Sequence, residues 1–281
     1  MNINDIDAYP VSDGSFWLDG GAMFGVVPRV LWEKRVSPDD KNRIKMGLWC
    51  LLIKTDHKNI LINTGIGNKY NQRYQDIFNI QHPPSLLPGL AEHNIKPADI
   101  DIVILTHLHF DHCGGNTISQ NNKIMPAFPK ARYIVQKSEW EKAVNPNERT
   151  RASYIKDNLI PIKEANQLEL IDGNKEILPG ISVRVTGGHT RGHQIVLMKS
   201  GDKTAVYWSD LIPTTAHVDL PYIMGYDLYP EETLEEKRRF IDQAIKEKWI
   251  CFWEHDPVIN CGYIRKNTEG KLTVEPLTKN T

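Results

Sequence analysis

The chain has 281 residues, 40% of them hydrophobic and 25% charged, with a formal net charge of -1. That length suits one large domain or two small ones, and the composition is ordinary for a soluble globular protein. The near-neutral balance gives no basic field to draw in nucleic acid or an anionic membrane, and no run of about 18 apolar residues would make a transmembrane helix.

The opening residues, Met1-Asn2-Ile3-Asn4-Asp5-Ile6-Asp7, are acidic and have no apolar core segment. A secretory signal is therefore not expected, and the protein is placed in the cytoplasm. Residues 49–54 and 59–63 read as strands flanking a hairpin turn at Asp56-His57-Lys58. Residues 85–92 read as a helix, with Pro88 a blemish. Strands follow at 101–106, 132–136, 181–186, 194–199 and 204–209. Ser138-Glu139-Trp140-Glu141 fits a capping box that opens a short helix. Thr233-Leu234-Glu235-Glu236 fits another, opening a helix to about Glu247 in which Leu234, Ile241, Ala244 and Ile245 share one face. Residues 250–253, 263–265 and 272–275 close the list of strands. Strands in both halves with helices between them suggest two sheets packed face to face, in one domain spanning 1–281. Of the four cysteines, Cys50 and Cys251 sit in apolar runs as buried small hydrophobes. Cys113 and Cys261 are expected to be reduced as well, Cys113 as a small residue beside the densest cluster of polar groups.

That cluster is His107-Leu108-His109-Phe110-Asp111-His112, which follows the apolar run Ile102-Val103-Ile104-Leu105. Imidazoles and a carboxylate at the end of a buried strand suit a first-row divalent ion, and four ligands in so short a stretch point to two ions. Further ligands are expected where other strands leave the core. Three such places carry His or Asp: Gly187-Gly188-His189-Thr190-Arg191-Gly192-His193, Ser209-Asp210, and Glu254-His255-Asp256. His57, His82 and His93 read as structural or solvent-facing. His217, in a loop beyond Asp210, is a candidate for contact with substrate.

Taken in order, these strings resemble the metallo-β-lactamase superfamily over residues 48–256. The resemblance implies an α+β fold, an αββα sandwich of two mixed β-sheets flanked by helices, with a dinuclear site at one edge. It implies that His107, His109 and His189 hold one ion, that Asp111, His112 and His255 hold the other, and that Asp210 bridges the two. His193 resembles a histidine that supports the site without binding metal. Two divalent ions are implied, zinc by default, although the same ligands accept iron, manganese or cobalt. A pair about 3.5–4 Å apart would make a bridging hydroxide available at neutral pH and polarise a carbonyl or phosphoryl group. Asp111 and Asp210 would be the catalytic residues, Asp111 relaying the proton to the leaving group. The chain departs from the pattern in one place: many members carry Asp-Thr-Gly where this chain has Asn63-Thr64-Gly65. An amide thus replaces a carboxylate that commonly backs a ligand histidine.

The segments Asp19-Gly20-Gly21-Ala22-Met23-Phe24-Gly25-Val26-Val27-Pro28 and Asp210-Leu211-Ile212-Pro213-Thr214 are similar to YtnP-like quorum-quenching lactonases, a subgroup that methyl parathion hydrolase-like enzymes also resemble. The similarity implies a small lactone or ester substrate, an N-acyl-homoserine lactone first among them. An arylesterase or phosphotriesterase is the alternative, and a non-catalytic metal- or ligand-binding module ranks last. Met23, Phe24 and Val26 would form an apolar cover for an acyl chain, with His217 nearby. Some lactonases place a substrate-contacting Tyr three residues after the bridging Asp; here Pro213 stands there, and Tyr222, Tyr226 and Tyr229 lie farther on. A homodimer is implied by resemblance alone.

Overall fold

The apolar runs of the sequence are strands buried on both faces. The computed structural model describes residues 1–277. Its chain opens with Asn2–Ile3 (β1), Ile6–Asp19 (β2), Arg43–Lys54 (β3), Asn59–Ile62 (β4) and Ile102–Ile104 (β5). A separate hairpin follows, Thr117–Gln120 (β6) and Lys123–Pro126 (β7), and then Arg132–Gln136 (β8) and Leu168–Ile171 (β9). The first sheet has the order β1-β2-β3-β4-β5-β8-β9, antiparallel as far as β4 and parallel from there on. The second sheet runs in chain order through Lys175–Leu178 (β10), Ile181–Val185 (β11), Gln194–Ser200 (β12), Lys203–Tyr207 (β13), Ile250–Phe252 (β14), Cys261–Lys266 (β15) and Leu272–Pro276 (β16). Its β13–β14 pair is parallel within an otherwise antiparallel sheet.

Side chains alternate along each strand, so each sheet feeds two cores. Leu51 and Ile53 of β3 point inward with Ile60, Ile62, Ile102 and Ile104, against Val183, Val196, Met198, Ala205 and Phe252 of the second sheet. Their neighbours Cys50, Leu52, Leu61 and Val103 point outward, under Leu86, Leu90, Trp140 and Ile162. On the other side Val206 and Cys251 pack beneath Phe240, Ile241 and Ala244 of the helix Pro230–Glu247. Two mixed sheets flanked by helices result, the expected layering.

Local details differ from expectation. β2 reaches 14 residues despite Pro10 and Gly14, because its register against β3 shifts between Ser12 and Ser15. Gly14 takes φ +98° there, and a Cβ would lie 2.3 Å from the Gln81 carbonyl oxygen. Neither capping box forms. The first helix, Lys137–Val144, has Gln136 at its N-cap, and Glu139 turns into the core. The second begins at Pro230, placing Thr233 inside it, because proline's fixed φ already suits the first turn.

Strand direction sets the site. β4 and β5 are parallel, as are β13 and β14, and β11 runs the same way as β13 because β12 is antiparallel to both. Their C-terminal ends therefore gather at one edge, where Asn63, His107, His189, Asp210 and Glu254-His255 leave the sheets. Gln194 ties the edge across the sheets, its backbone N–H donating to the Thr106 carbonyl (3.0 Å) and its side chain to the Leu105 carbonyl (2.8 Å).

Candidate metal centre

The structure brings all seven sequence-derived candidates to this edge. His107, His109, His189 and Asp210 form one group of converging donor atoms, and Asp111, His112 and His255 form a second. Asp210 reaches both: its Oδ2 lies 3.0 Å from His189 Nε2, 3.6 Å from His107 Nε2 and 3.4 Å from His112 Nε2, and its Oδ1 lies 3.3 Å from His255 Nε2. Asp111 Oδ2 stands 3.6 Å from His112 Nε2 and 3.7 Å from His255 Nε2.

These separations decide between two kinds of contact. Direct hydrogen bonds of this type would be about 2.7–2.9 Å. Two ligands bound tetrahedrally to one ion at about 2.0–2.2 Å stand roughly 3.3–3.6 Å apart. Most of the observed distances fall in the second range. His107 Nε2 and Asp210 Oδ1 are, in addition, buried without a hydrogen-bond partner among the described residues. Orphaned polar atoms at zero exposure are costly unless a cation takes them up. Two of the imidazoles disfavour charge: burial, then the neighbouring rings, drive His107 and His109 well below the usual histidine range. Burial opposes charge on His189 too, but Asp210 and Asp227 outweigh it and hold that ring at about 10. Burial would raise Asp210, yet His112 and His189 keep it well below the carboxylate range. Five imidazoles and two carboxylates converging at this spacing make a donor set that suits divalent ions.

Three of the rings are aimed by their far nitrogens. His189 Nδ1 donates to Asp227 Oδ1 (2.7 Å), His255 Nδ1 to the Gly47 carbonyl (2.9 Å) and His112 Nδ1 to Glu254 Oε2 (2.9 Å), leaving Nε2 free to face the centre. His193 is different. Its Nδ1 is 2.6 Å from Thr186 Oγ1 and its Nε2 accepts from the Asp210 backbone N–H (3.2 Å), so both nitrogens are already taken, one of them holding Asp210. Ser209, just before that residue, adopts φ +45°, a strained turn that aims Asp210 inward.

Two supporting carboxylates had no sequence role assigned. Asp227 lies in an irregular loop with no motif around it. Glu139, which lies between Ser138 and Glu141 of the expected capping box, accepts from the Leu108 N–H (3.0 Å), from Tyr154 Oη (3.1 Å) and from Thr190 Oγ1 (2.5 Å). It thereby ties the 107–112 loop to the 189–193 loop. Gly192 permits the approach, since a Cβ there would meet the Glu139 backbone nitrogen at 2.5 Å.

A pocket of about 440 Å³ opens above His109, Asp111, His189, Asp210 and His255, walled by Leu18, Met23, Phe78, Phe110, Met224, Tyr226 and Leu228 among others. Of the proposed substrate contacts, Met23 lies on this wall. Phe24 does not: it is buried between Trp32 and His217, with ring centroids at 5.2 and 4.5 Å. Val26 is 93% exposed and outside the pocket, since the turn after Gly25 carries it away. His217 is fully buried as a bracket, bonded to Thr214 Oγ1 through Nδ1 (2.7 Å) and donating from Nε2 to the Met23 carbonyl (2.9 Å). Of the three tyrosines, Tyr226 reaches the pocket. Tyr222 and Tyr229 stack instead under Arg35 (3.9 Å) and Arg191 (3.4 Å).

Comparison with known proteins agrees with this architecture. An N-acyl homoserine lactonase of Bacillus cereus is 28% identical over 228 residues, 76% of this chain and 83% of the relative. A probable metal-dependent hydrolase from Staphylococcus aureus has 32% identity and a TM-score of 0.91, with 100% of both chains covered. A dizinc quorum-quenching lactonase solved with its product N-hexanoyl-L-homoserine shares the fold, at 22% identity and a TM-score of 0.82 over 100% of this chain and 97% of its own. The family pattern itself extends over residues 46–255, and the chain belongs to the metallo-β-lactamase superfamily.

Proposed function

We propose that the protein is a dinuclear metal-dependent hydrolase of lactones, N-acyl-homoserine lactones in particular, working in the cytoplasm. The observation that carries this reading is the pairing of two donor groups, joined by Asp210, with an apolar pocket directly above them. The lactonase relatives support the substrate class. His107, His109 and His189 would hold one ion, Asp111, His112 and His255 the other, and Asp210 would be shared by both; zinc is the expected metal. Bound there, two divalent ions would acidify a shared water and polarise the lactone carbonyl.

The chain's own residues do the rest. Leu18, Met23, Phe110 and Met224 exclude water and take the acyl chain, which leaves the ring carbonyl over Asp210. Tyr226 stays protonated and donates a hydrogen bond to the substrate. As water oxygen bonds to the carbonyl carbon and the ring C–O bond breaks, Asp111 passes the water's proton to the leaving alkoxide.

The test is hydrolysis by zinc-loaded protein of homoserine lactones of several acyl lengths, an aryl ester and a phosphotriester, with metal counted on the same sample. Two ions and a lactone preference are expected. Two ions with ester or phosphotriester turnover alone would reassign the substrate, and no turnover at all would leave a binding module.

A further inference from the structure

The amide at position 63 creates a chemical problem for His112, and the structure contains its solution. Asn63 is fully buried at φ +55°, a left-handed conformation that Asn tolerates well. Its orientation is fixed. Oδ1 accepts from the Thr106 backbone N–H (2.9 Å), which makes Nδ2 the donating end, within 2.9 Å of Thr106 Oγ1. On that side lies Glu254, itself fully buried, whose Oε1 and Oε2 accept from Nδ2 at 3.0 and 2.8 Å. The same Oε2 accepts from His112 Nδ1 (2.9 Å) and from Ser209 Oγ (3.2 Å).

We infer that Glu254 is the carboxylate that orients His112 toward the second ion, and that Asn63 is the complementary residue that lets this carboxylate be there. Residue 63 and residue 254 form one unit with a single negative charge. A carboxylate at both positions would set two anions about 3 Å apart in a buried space, where they cannot both ionise. An amide at both would set an NH2 group against an NH2 group or leave His112 Nδ1 with a neutral acceptor. The charge can be moved, however. Asn63 Nδ2 lies 3.1 Å from His112 Nδ1, so an aspartate at 63 would place an oxygen within reach of that N–H. Glu254 is thus a positioning residue, acting through His112. The inference rests on the reading that His112 binds an ion through Nε2.

The test compares four chelator-stripped proteins: wild type, Asn63→Asp, Glu254→Gln and the double swap Asn63→Asp/Glu254→Gln. Zinc is titrated into each, and the melting temperature of each metal-free protein is recorded. Glu254→Gln is expected to weaken one of the two zincs by about 10–100-fold while sparing the other. The double swap should recover most of that loss. Asn63→Asp alone should melt below both wild type and double swap. A Glu254→Gln protein that binds both ions as wild type does would overturn the inference, as would a double swap no better than Glu254→Gln. Should Glu254→Gln fail to fold, a folded double swap melting near wild type supports the unit and an unfolded one refutes it. Should wild type itself bind only one zinc, the dinuclear reading falls, and the melting temperatures alone decide whether positions 63 and 254 are coupled.

Discussion

The floor of the pocket and its wall draw on the chain in opposite ways. The floor takes its residues from the ends of β5, β11, β13 and β14, a cluster after the first and one from each of the others, where ladder hydrogen bonds fix the backbone and a partner fixes the far nitrogen of His112, His189 and His255. The wall takes consecutive residues from irregular chain, notably 224–228, and fixes them by scattered ties. Arg149 Nη2 donates to the Gly225 carbonyl (3.0 Å), and the Gly225 N–H donates to the Ala22 carbonyl (2.8 Å). Lys237, fully buried in the helix Pro230–Glu247, donates through Nζ to the carbonyls of His217 (2.7 Å), Asp219 (3.0 Å) and Tyr222 (2.8 Å). A floor built this way tolerates little displacement, while a wall of flexible apolar side chains can change its shape without disturbing the chemistry.

The largest effect should come from breaking the floor at its shared member. Asp210→Ala should reduce lactone turnover by about 10³-fold or more and loosen both ions, read by steady-state kinetics and metal content. Near-normal activity in that protein would mean that Asp210 is not the bridge. One step out, Asp227→Ala frees His189 Nδ1 and should weaken one ion by roughly 10–100-fold, leaving the other in place, as measured by competitive chelation. The wall should respond by substrate and not by metal. Met224→Ala should raise KM for long-chain lactones by about tenfold and leave kcat for the shortest almost unchanged; equal losses for all chain lengths would mean that the wall is part of the floor.

The smallest effect concerns the bracket behind the wall. Burial pulls His217 down to about 3, against an ordinary value of 6.5. The unfolded chain therefore takes up the proton first, so this contribution is complete above about pH 6.5 and is lost as pH falls toward 3. Denaturant unfolding across that range should show His217→Gln with a shallower loss than wild type, by at most about 1.4 kcal/mol per pH unit. Parallel curves would show that His217 takes up its proton as readily in the folded wall as in the unfolded chain.

The same division governs what could be read from the chain. His107, His109, Asp111 and His112 are legible because the chemistry is concentrated in six residues after an apolar strand, and the later groups stand at strand ends of the same kind. The two-sheet layering follows from the buried runs. Supporting residues are less visible. Glu254 sits beside His255 in the sequence, but its bond to His112 joins residues 142 positions apart. Asp227 has no local pattern at all, and Glu139 is hidden inside the misleading one of Ser138 and Glu141. Phe24, Val26 and His217 were judged by chemical type, whereas the turn at Gly25 and the stack on Trp32 decide where they point. β2 escaped notice because Pro10 and Gly14 interrupt its alternation, and only its pairing with β3 shows that the interruption is a register shift.

One feature of the floor reaches beyond chemistry. The proposed ligands come from both sheets: 107–112 follow β5 of the first, while His189, Asp210 and His255 follow strands of the second. Ions held there fasten together stretches of chain more than a hundred residues apart, as a cross-link would, but one that exchange with the surroundings can open. Each tenfold excess of free metal over its dissociation constant adds about 1.4 kcal/mol to the folded state. The protein's resistance to heat and proteolysis should therefore track metal supply, so that a starved cell loses the protein itself along with its activity.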